Sequence, residues 1–300
     1  MTGVFDEDFA WPLWSGPVAE TDDAGTALED PTAIATELLI VDVHRPQLLG
    51  FRPPRPNGRA VMIMAGGGYT KLVIGKEGIE VARWLTSLGF HAFVLVHRLP
   101  SSRFNDGNRL GEQAPVDDAI EAMRLIRARA AGLGIDSRAV GALGLSSGGH
   151  LAACLAAMYP ASWKAPESLH ASISARPDFL IVGYGPISTN AAGRTVVADK
   201  PPLSPPEKQA LYDAMQPDAQ MIGAPPPTFI VYAADDPVIP VANAYRLADA
   251  VRTRGVAPEL HVFASAPHGF ALRASALPVG AWPQLCSAWL RQQGFLDQTA

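Results

Sequence analysis

The chain has 300 residues, of which 48% are hydrophobic and 18% are charged. The charged fraction is below the roughly 25% of an average globular domain, so the composition excludes a highly charged, disordered chain. The net charge of −5 argues against a nucleic-acid partner, because binding to a phosphate backbone needs a basic surface.

The N-terminal region shows no targeting signal. The first eight residues are acidic and lack the basic and apolar regions of a signal peptide. We therefore expect a cytoplasmic protein, or a secreted or periplasmic one if a leader has been removed. No stretch approaches the ~20 apolar residues of a membrane span, so we expect no membrane partner. Residues 1–35 lack periodicity and are interpreted as an arm, which leaves 36–300 as a single domain.

Short apolar runs alternate with segments of helical periodicity from residue 38 onward. Strands are predicted at 38–43, 48–51, 59–64, 90–96, 139–145, 179–183, 228–232 and 260–263, the first two as a hairpin-like pair at an edge. Helices are predicted at 77–88, 116–130, 147–158, 241–254 and 280–292, with a short helical stretch around 207–215. This alternation predicts the α/β class, with a mostly parallel eight-stranded sheet flanked by helices on both faces.

Two segments, about 159–178 and 188–227, are too long for ordinary connections between a strand and a helix. We interpret both as insertions over the carboxyl edge of the sheet, where α/β folds place their functional sites.

A serine in a glycine-rich turn is the candidate nucleophile. The run Gly144-Leu-Ser146-Ser-Gly148 follows a predicted strand and opens a predicted helix, as a G-x-S-x-G nucleophile elbow requires. The sharp turn strains the backbone at Ser146, so small residues are needed two positions before and after it. The backbone N–H of Ser147 then faces the oxyanion that develops during attack. A turn that merely caps a helix is the alternative.

A second glycine-rich segment lies upstream of this serine. The run Ala65-Gly-Gly-Gly-Tyr69 follows the predicted strand 59–64 and exposes backbone N–H groups suited to the other half of an oxyanion hole. The alternatives are a flexible turn and a dinucleotide-binding loop. The G-x-G-x-x-G spacing is absent, which disfavours the nucleotide interpretation.

The general base should follow the last strand. His268, in Ala266-Pro-His-Gly-Phe270, lies in the loop after that strand, where an imidazole can take the proton of Ser146. The competing histidines have structural explanations. His91 and His97 flank a buried strand, where local backbone partners are expected. His261 lies inside a strand, and His150 lies four residues after the serine on the same helix, facing away from the site.

The orienting carboxylate should follow the penultimate strand, which offers Asp235 and Asp236. Asp236 stands four residues before Pro240, the spacing of the D-x-x-V-P-type turn in many hydrolases. Pro237 also biases Asp236 toward an extended conformation that holds its carboxylate forward. We therefore favour Asp236, with Asp235 as a solvated or turn-forming neighbour.

These motifs resemble those of the acetylxylan esterase-like enzymes of the α/β-hydrolase fold, relatives of the hormone-sensitive-lipase-like esterases. The matching segments are Trp-Pro-Leu-Trp-Ser-Gly at 11–16, Ala-Gly-Gly-Gly-Tyr at 65–69, 94–100, 115–119, Gly-Leu-Ser-Ser-Gly-Gly-His-Leu-Ala-Ala at 144–153, 226–229, 234–240 and Pro-His-Gly-Phe at 267–270. The resemblance implies a catalytic domain that removes acyl groups, often acetyl, from sugar hydroxyls. It implies Ser146 as the nucleophile, with Asp236 and His268 as its partners. It also implies an oxyanion hole made by the backbone N–H groups of Gly67, Gly68 and Ser147.

The chain departs from the family pattern at three positions. Ala65 stands where relatives usually have Pro or His, and Ser147 stands where they have Ala. Both changes leave the backbone donors intact. His97 stands where relatives have Tyr, and the sequence offers no explanation for it.

Other functions are weighed beside this one. A general short-chain carboxylesterase or lactonase with a non-sugar substrate is the main alternative. A serine peptidase of this fold commonly carries a large N-terminal domain, for which the chain has no length, and a non-catalytic binding protein should lack a member of the triad.

We expect no metal and no organic cofactor, because proton transfer to His268 generates the nucleophile. Cys154 and Cys286 are expected to be buried thiols, and a homo-oligomer is left open.

Overall fold

The computed structural model describes residues 7–14, 26–29, 38–41, 43–100, 113–158, 168, 170–188, 191, 193–194 and 201–297. Their strands are, in chain order, β1 (Phe9–Pro12), β2 (Thr26–Glu29), β3 (Leu38–Val41), β4 (Gln47–Phe51), β5 (Ala60–Met64), β6 (Leu72–Val73), β7 (His91–Val96), β8 (Val140–Leu145), β9 (Leu180–Gly183), β10 (Thr228–Ala233) and β11 (Glu259–Phe263). Eight of them form a large sheet in the order β1-β4-β7-β5-β8-β9-β10-β11. Only β1–β4 and β4–β7 pair antiparallel, so the predicted mostly parallel, eight-stranded sheet is confirmed.

Helices cover this sheet. They are α1 (Glu80–Ser87), α2 (Ala114–Arg129), α3 (Ser147–Met158), α4 (Pro206–Ala214), α5 (Ala242–Thr253) and α6 (Trp282–Gln292), with a π-helical turn at Gly75–Ile79 and 3-10 turns at Ala130–Leu133 and Pro278–Ala281. Every residue of the five strands from β7 to β10 across the sheet is buried, as expected for strands covered on both faces. Within the described ranges, no helix is long and apolar enough to cross a membrane.

The predicted hairpin of 38–43 and 48–51 is not formed. Instead, β3 pairs with β2 and β6 in a small second sheet, and β4 pairs with β1 and β7 in the large one. The ring of Phe9 on β1 packs over Gly50 of β4, where any Cβ atom would overlap it. This packing seats β1 beside β4, so the large sheet draws its edge strand from the segment that was predicted to be an arm.

The two predicted insertions lie at different edges of the sheet. The first follows α3, which runs back from the carboxyl edge and so delivers the chain to the amino edge. There the N–H of Asp178 donates to the carbonyl of Val140, the first residue of β8. The prediction that this segment covers the carboxyl edge is therefore wrong for 170–178, and 159–167 lie outside the described residues. In the second insertion, α4 confirms the predicted helical stretch and does lie at the carboxyl edge.

Both cysteines are buried, free thiols, Cys154 on α3 and Cys286 on α6, as the sequence predicts. Burial raises the pKa of both thiols. They are therefore protonated at neutral pH and unsuited to act as nucleophiles.

Candidate active site

Ser146 lies in a sharp turn between β8 and α3. Its backbone is left-handed, with φ of +52°, a conformation that costs a non-glycine residue about 1–3 kcal/mol. The flanking glycines make the turn possible. A Cβ atom on Gly144 would overlap the carbonyl of Gly148, and one on Gly148 would overlap the carbonyl of Met64 on the neighbouring strand. The spacing of small residues around the serine therefore has a direct steric cause.

The structure brings Ser146, His268 and Asp236 together from the ends of three strands. The hydroxyl of Ser146 lies 3.0 Å from Nε2 of His268, and Nδ1 of that ring lies 2.8 Å from Oδ2 of Asp236. The other carboxylate oxygen, Oδ1, accepts the backbone N–H groups of Val238 and Ile239 at 2.8 and 2.9 Å. Because Asp236 can only accept, Nδ1 carries the proton and Nε2 faces the serine as an acceptor.

Asp235 points elsewhere. Its side chain is exposed, and its Oδ1 accepts the backbone N–H of Ala266 at 3.1 Å. Hydrogen bonds from the hydroxyl of Ser265 and from that N–H lower the pKa of the Asp235 carboxyl. This aspartate fastens the two loops that follow β10 and β11, while Asp236 alone of the pair contacts the histidine.

The glycine-rich loop lies against the serine, and its N–H groups have different partners. The N–H of Gly66 donates to Oε2 of Glu77 at 2.8 Å. The N–H of Gly68 donates to the side-chain oxygen of Ser147 at 2.9 Å. Gly67 has φ of +131° and lies so close to the carbonyl of Lys71 that only glycine fits. Of the two predicted glycine donors, Gly68 thus faces a neighbouring hydroxyl instead of open space.

Glu77 was not singled out from the sequence. It lies in the π-helical turn and is only 3% exposed, and its Oε1 accepts the hydroxyl of Tyr184 at 3.1 Å. Burial raises the pKa of the Glu77 carboxyl, while the Gly66 N–H and the Lys76 ammonium oppose that shift. The signal that could have found it is a carboxylate in the mostly apolar and glycine-rich stretch 72–79, where Lys76 is the other charged residue.

The remaining histidines lie outside the hydrogen-bonded chain, as expected. His150 is fully buried, accepts the hydroxyl of Tyr69 on Nδ1 at 2.9 Å and donates from Nε2 to the carbonyl of Met215 at 2.9 Å. Burial lowers the pKa of His150 to about 4. His97 donates to the carbonyl of Arg98, as predicted, and its ring lies 6.1 Å from that of Tyr69. His91 differs from the expectation, because its Nδ1 has no partner among the described residues.

Backbone strain is concentrated here. Among the described residues, the non-glycine positions with left-handed backbone are Tyr69, Ser146, Tyr184 and Ala271. Tyr69 follows the glycine loop, Tyr184 follows β9, and Ala271 lies three residues after His268. All four lie at or beside the loops that surround the serine.

A cavity of about 350 Å³ opens over the serine. Its lining includes the glycine-rich loop, the turn at Ser146, the loops after β10 and β11, and the second insertion: Gly67, Gly68, Val73, Lys76, Glu77, Ser146, Ser147, Pro186, Leu203, Lys208, Tyr212, Val238, Ile239, His268 and Gly269. In the described part of the chain, no group of three or more His, Cys, Asp or Glu side chains is placed to hold a metal ion.

By sequence, the chain matches a known family and a known protein. Residues 82–277 match the prolyl oligopeptidase family. The acetylxylan esterase of Xylanibacter ruminicola is 29% identical over 255 residues, which are 81% of this chain and 47% of that protein. The chain therefore spans about half the length of this relative.

Solved structures match over most of the chain. The acetyl ester-xyloside bifunctional hydrolase from Caldicellulosiruptor lactoaceticus is 28% identical, with a TM-score of 0.68, covering 97% of this chain and 98% of that one. A thermophilic esterase from Thermogutta terrifontis, in a structure with butyrate bound, is 27% identical, with a TM-score of 0.69, covering 87% of this chain and 94% of that one. These likenesses establish the α/β-hydrolase fold.

Proposed function

The chain belongs to the prolyl oligopeptidase family, and we propose that it is a serine carboxylic-ester hydrolase that removes acyl groups, chiefly acetyl, from carbohydrate. The observation that carries the proposal is the hydrogen-bonded chain from Ser146 through His268 to Asp236, which lies beside backbone N–H donors in an open cavity. This is the geometry by which a serine hydroxyl is activated for acyl transfer.

In the first half of the reaction, the Ser146 oxygen attacks the ester carbonyl carbon while its proton passes to Nε2 of His268. Asp236 accepts the proton on Nδ1 in a hydrogen bond and stabilises the imidazolium that forms. The carbonyl oxygen becomes an oxyanion, for which the N–H groups of Gly67, Gly68 and Ser147 are the proposed donors. When the tetrahedral intermediate collapses, the sugar hydroxyl leaves with the proton from His268 and the acyl group stays on Ser146.

In the second half, water attacks the acyl-enzyme and gives its proton to His268. Collapse of this second tetrahedral intermediate releases the carboxylic acid and returns the proton to the Ser146 oxygen. Each step uses one proton relay and one set of N–H donors, so the site needs no other reactive group.

The substrate class rests on the relatives. Carbohydrate acetyl esters are favoured by the acetylxylan esterase and by the acetyl ester-xyloside hydrolase, which the chain matches over 97% of its length. A general short-chain carboxylesterase is the second candidate, favoured by the likeness to the Thermogutta terrifontis esterase. The family takes its name from a peptidase, so cleavage of a peptide amide by the same triad is a further activity to test.

The deciding experiment compares three classes of substrate, acetylated oligosaccharides, aryl esters and peptide amides, with one enzyme preparation. We expect release of acetate from acetylated xylo-oligosaccharides, weaker turnover of aryl butyrates than of aryl acetates, and no cleavage of proline-containing peptide amides. Ser146→Ala should lower kcat by about 10⁴-fold or more with an unchanged melting curve. Turnover of aryl esters without release of acetate from the oligosaccharide would favour the general carboxylesterase, and peptide cleavage would favour a peptidase.

A further inference from the structure

Both oxygens of the buried Glu77 carboxyl accept hydrogen bonds. Oε2 accepts the N–H of Gly66 at 2.8 Å, and Oε1 accepts the hydroxyl of Tyr184 at 3.1 Å. Two donors on a carboxyl group favour its ionised form, which offsets part of the cost of burial. The π-helical turn that holds Glu77 is a rare backbone form that is frequent at functional sites.

Tyr184 continues this connection to the other side of the serine. Its hydroxyl oxygen accepts the backbone N–H of Ala271 at 3.2 Å, in the segment that follows His268. The Tyr184 ring also packs edge-on against the His268 ring, with centroids 5.2 Å apart and an interplanar angle of 74°. One carboxyl group therefore links the glycine loop to the segment that carries the base.

The connection passes directly beside the nucleophile. A Cβ atom on Gly66 would overlap Oε2 of Glu77 and would also lie 2.6 Å from Cβ of Ser146. At the far end, Tyr184 and Ala271 have φ of +38° and +41°. Such backbone is retained only where surrounding contacts hold it in place. The Tyr184 hydroxyl supplies two of those contacts, since it donates to Glu77 and accepts the N–H of Ala271.

We propose that Glu77 is a positioning residue, which holds the Gly66–Gly68 loop and the His268 loop at a fixed distance from each other around Ser146. This inference rests on the proposed ester hydrolysis, because the two loops would supply the oxyanion donors and the base. A merely structural role for Glu77 would predict a loss of stability with no selective loss of transition-state binding.

The test uses Glu77→Gln and Tyr184→Phe in the full chain, with an aryl acetate as substrate and the matching trifluoromethyl ketone as a transition-state mimic. We expect kcat to fall by about 10- to 100-fold in both variants, since displacement by 1 Å can cost about 100-fold, while KM changes by less than about threefold. The inhibition constant of the ketone should rise as kcat/KM falls. Glu77→Ala should lose more than Glu77→Gln, because the glutamine oxygen can still accept the Gly66 N–H.

The matched control is Glu121→Gln. Glu121 on α2 is 4% exposed, close to the 3% of Glu77, and does not line the cavity. This variant tests what the same substitution does at an equally buried position, and we expect unchanged kcat, KM and ketone inhibition. Melting temperatures of all variants are measured beside the kinetics.

Two results would overturn the inference. If both Glu77→Gln and Tyr184→Phe retain kcat and the ketone inhibition constant within twofold of the parent values, the connection through Glu77 and Tyr184 has only a structural role. A control that loses as much activity as Glu77→Gln would show that the effect is not specific to this position. A parent protein that hydrolyses no ester would instead refute the proposed function, and the positioning role with it.

Discussion

The backbone N–H of Gly68 donates a 2.9 Å hydrogen bond to the side-chain oxygen of Ser147, the residue that directly follows the nucleophile. Both groups line the cavity, and both belong to residues whose backbone N–H is a proposed oxyanion donor. In the resting site, one of these donors is therefore already engaged. A substrate carbonyl that uses the Gly68 N–H has to displace the Ser147 hydroxyl.

Ser147→Ala should raise kcat by about two- to tenfold. The variant removes a competing hydrogen bond of ordinary strength, about 0.5–1.5 kcal/mol, and leaves the Gly68 N–H available to the oxyanion. The measurement is kcat and KM on an aryl acetate, with Ser147→Thr as the control that retains a hydroxyl. A fall in kcat for Ser147→Ala alone would mean that the hydroxyl itself donates to the oxyanion.

Asp236→Asn should lower kcat by orders of magnitude, and Asp235→Asn by less than about tenfold. Only Asp236 fixes the His268 tautomer, and an amide in its place favours the wrong one. Asp235 contacts the backbone of Ala266, so its loss should reduce stability more than turnover. Steady-state kinetics and melting curves of the two variants decide the point, and the reverse ranking of kcat would contradict it.

Stability should fall as pH drops from about 6.5 toward 4, because of His150. Burial lowers the pKa of His150 to about 4 in the folded protein, so the unfolded chain binds a proton over this range and the folded one does not. The full effect is about 3 kcal/mol in the free energy of unfolding. Burial also lowers the pKa of His97, which acts in the same direction, and raises that of Glu77, which opposes it.

The contribution of His150 is isolated by His150→Asn. Denaturant unfolding at pH 7 and pH 4.5 should show a smaller loss of stability on acidification in the variant than in the parent. An equal loss in both proteins would assign the acid sensitivity to other groups.

Exhaustive chelation should leave kcat unchanged. The proposed mechanism generates its nucleophile by transferring the Ser146 proton to His268, and no step requires a Lewis acid. The assay compares aryl acetate turnover before and after dialysis against a strong chelator. Loss of activity that added zinc or calcium restores would contradict the mechanism.

Local sequence patterns were sufficient to predict the parts of the site whose geometry is set by residues close in the sequence. The turn at Ser146 is fixed by glycines two residues away, and the orientation of Asp236 by the turn that follows it. The parallel strands were equally recoverable, because burial on both faces leaves continuous apolar runs.

The features that the sequence did not reveal depend on contacts between distant segments. Gly68 and Ser147 are 79 residues apart, and Glu77 and Tyr184 are 107 apart, so no periodicity records either pair. The pairing of β1 with β4 likewise depends on the Phe9 ring covering Gly50. A short, partly exposed strand carries too weak a pattern to predict its partner.

The attachment of the second insertion to the rest of the enzyme has a consequence for how this scaffold can be altered. His150, on the helix behind the nucleophile, binds that insertion through the carbonyl of Met215, a group that every amino acid supplies. Of the side chains that the insertion places in the cavity, Leu203 and Lys208 take no part in this bond, whereas the Tyr212 ring packs 4.7 Å from the ring of His150. Substrate preference could be redesigned, or could drift during evolution, by exchanging Leu203 and Lys208 while the anchor stays in place.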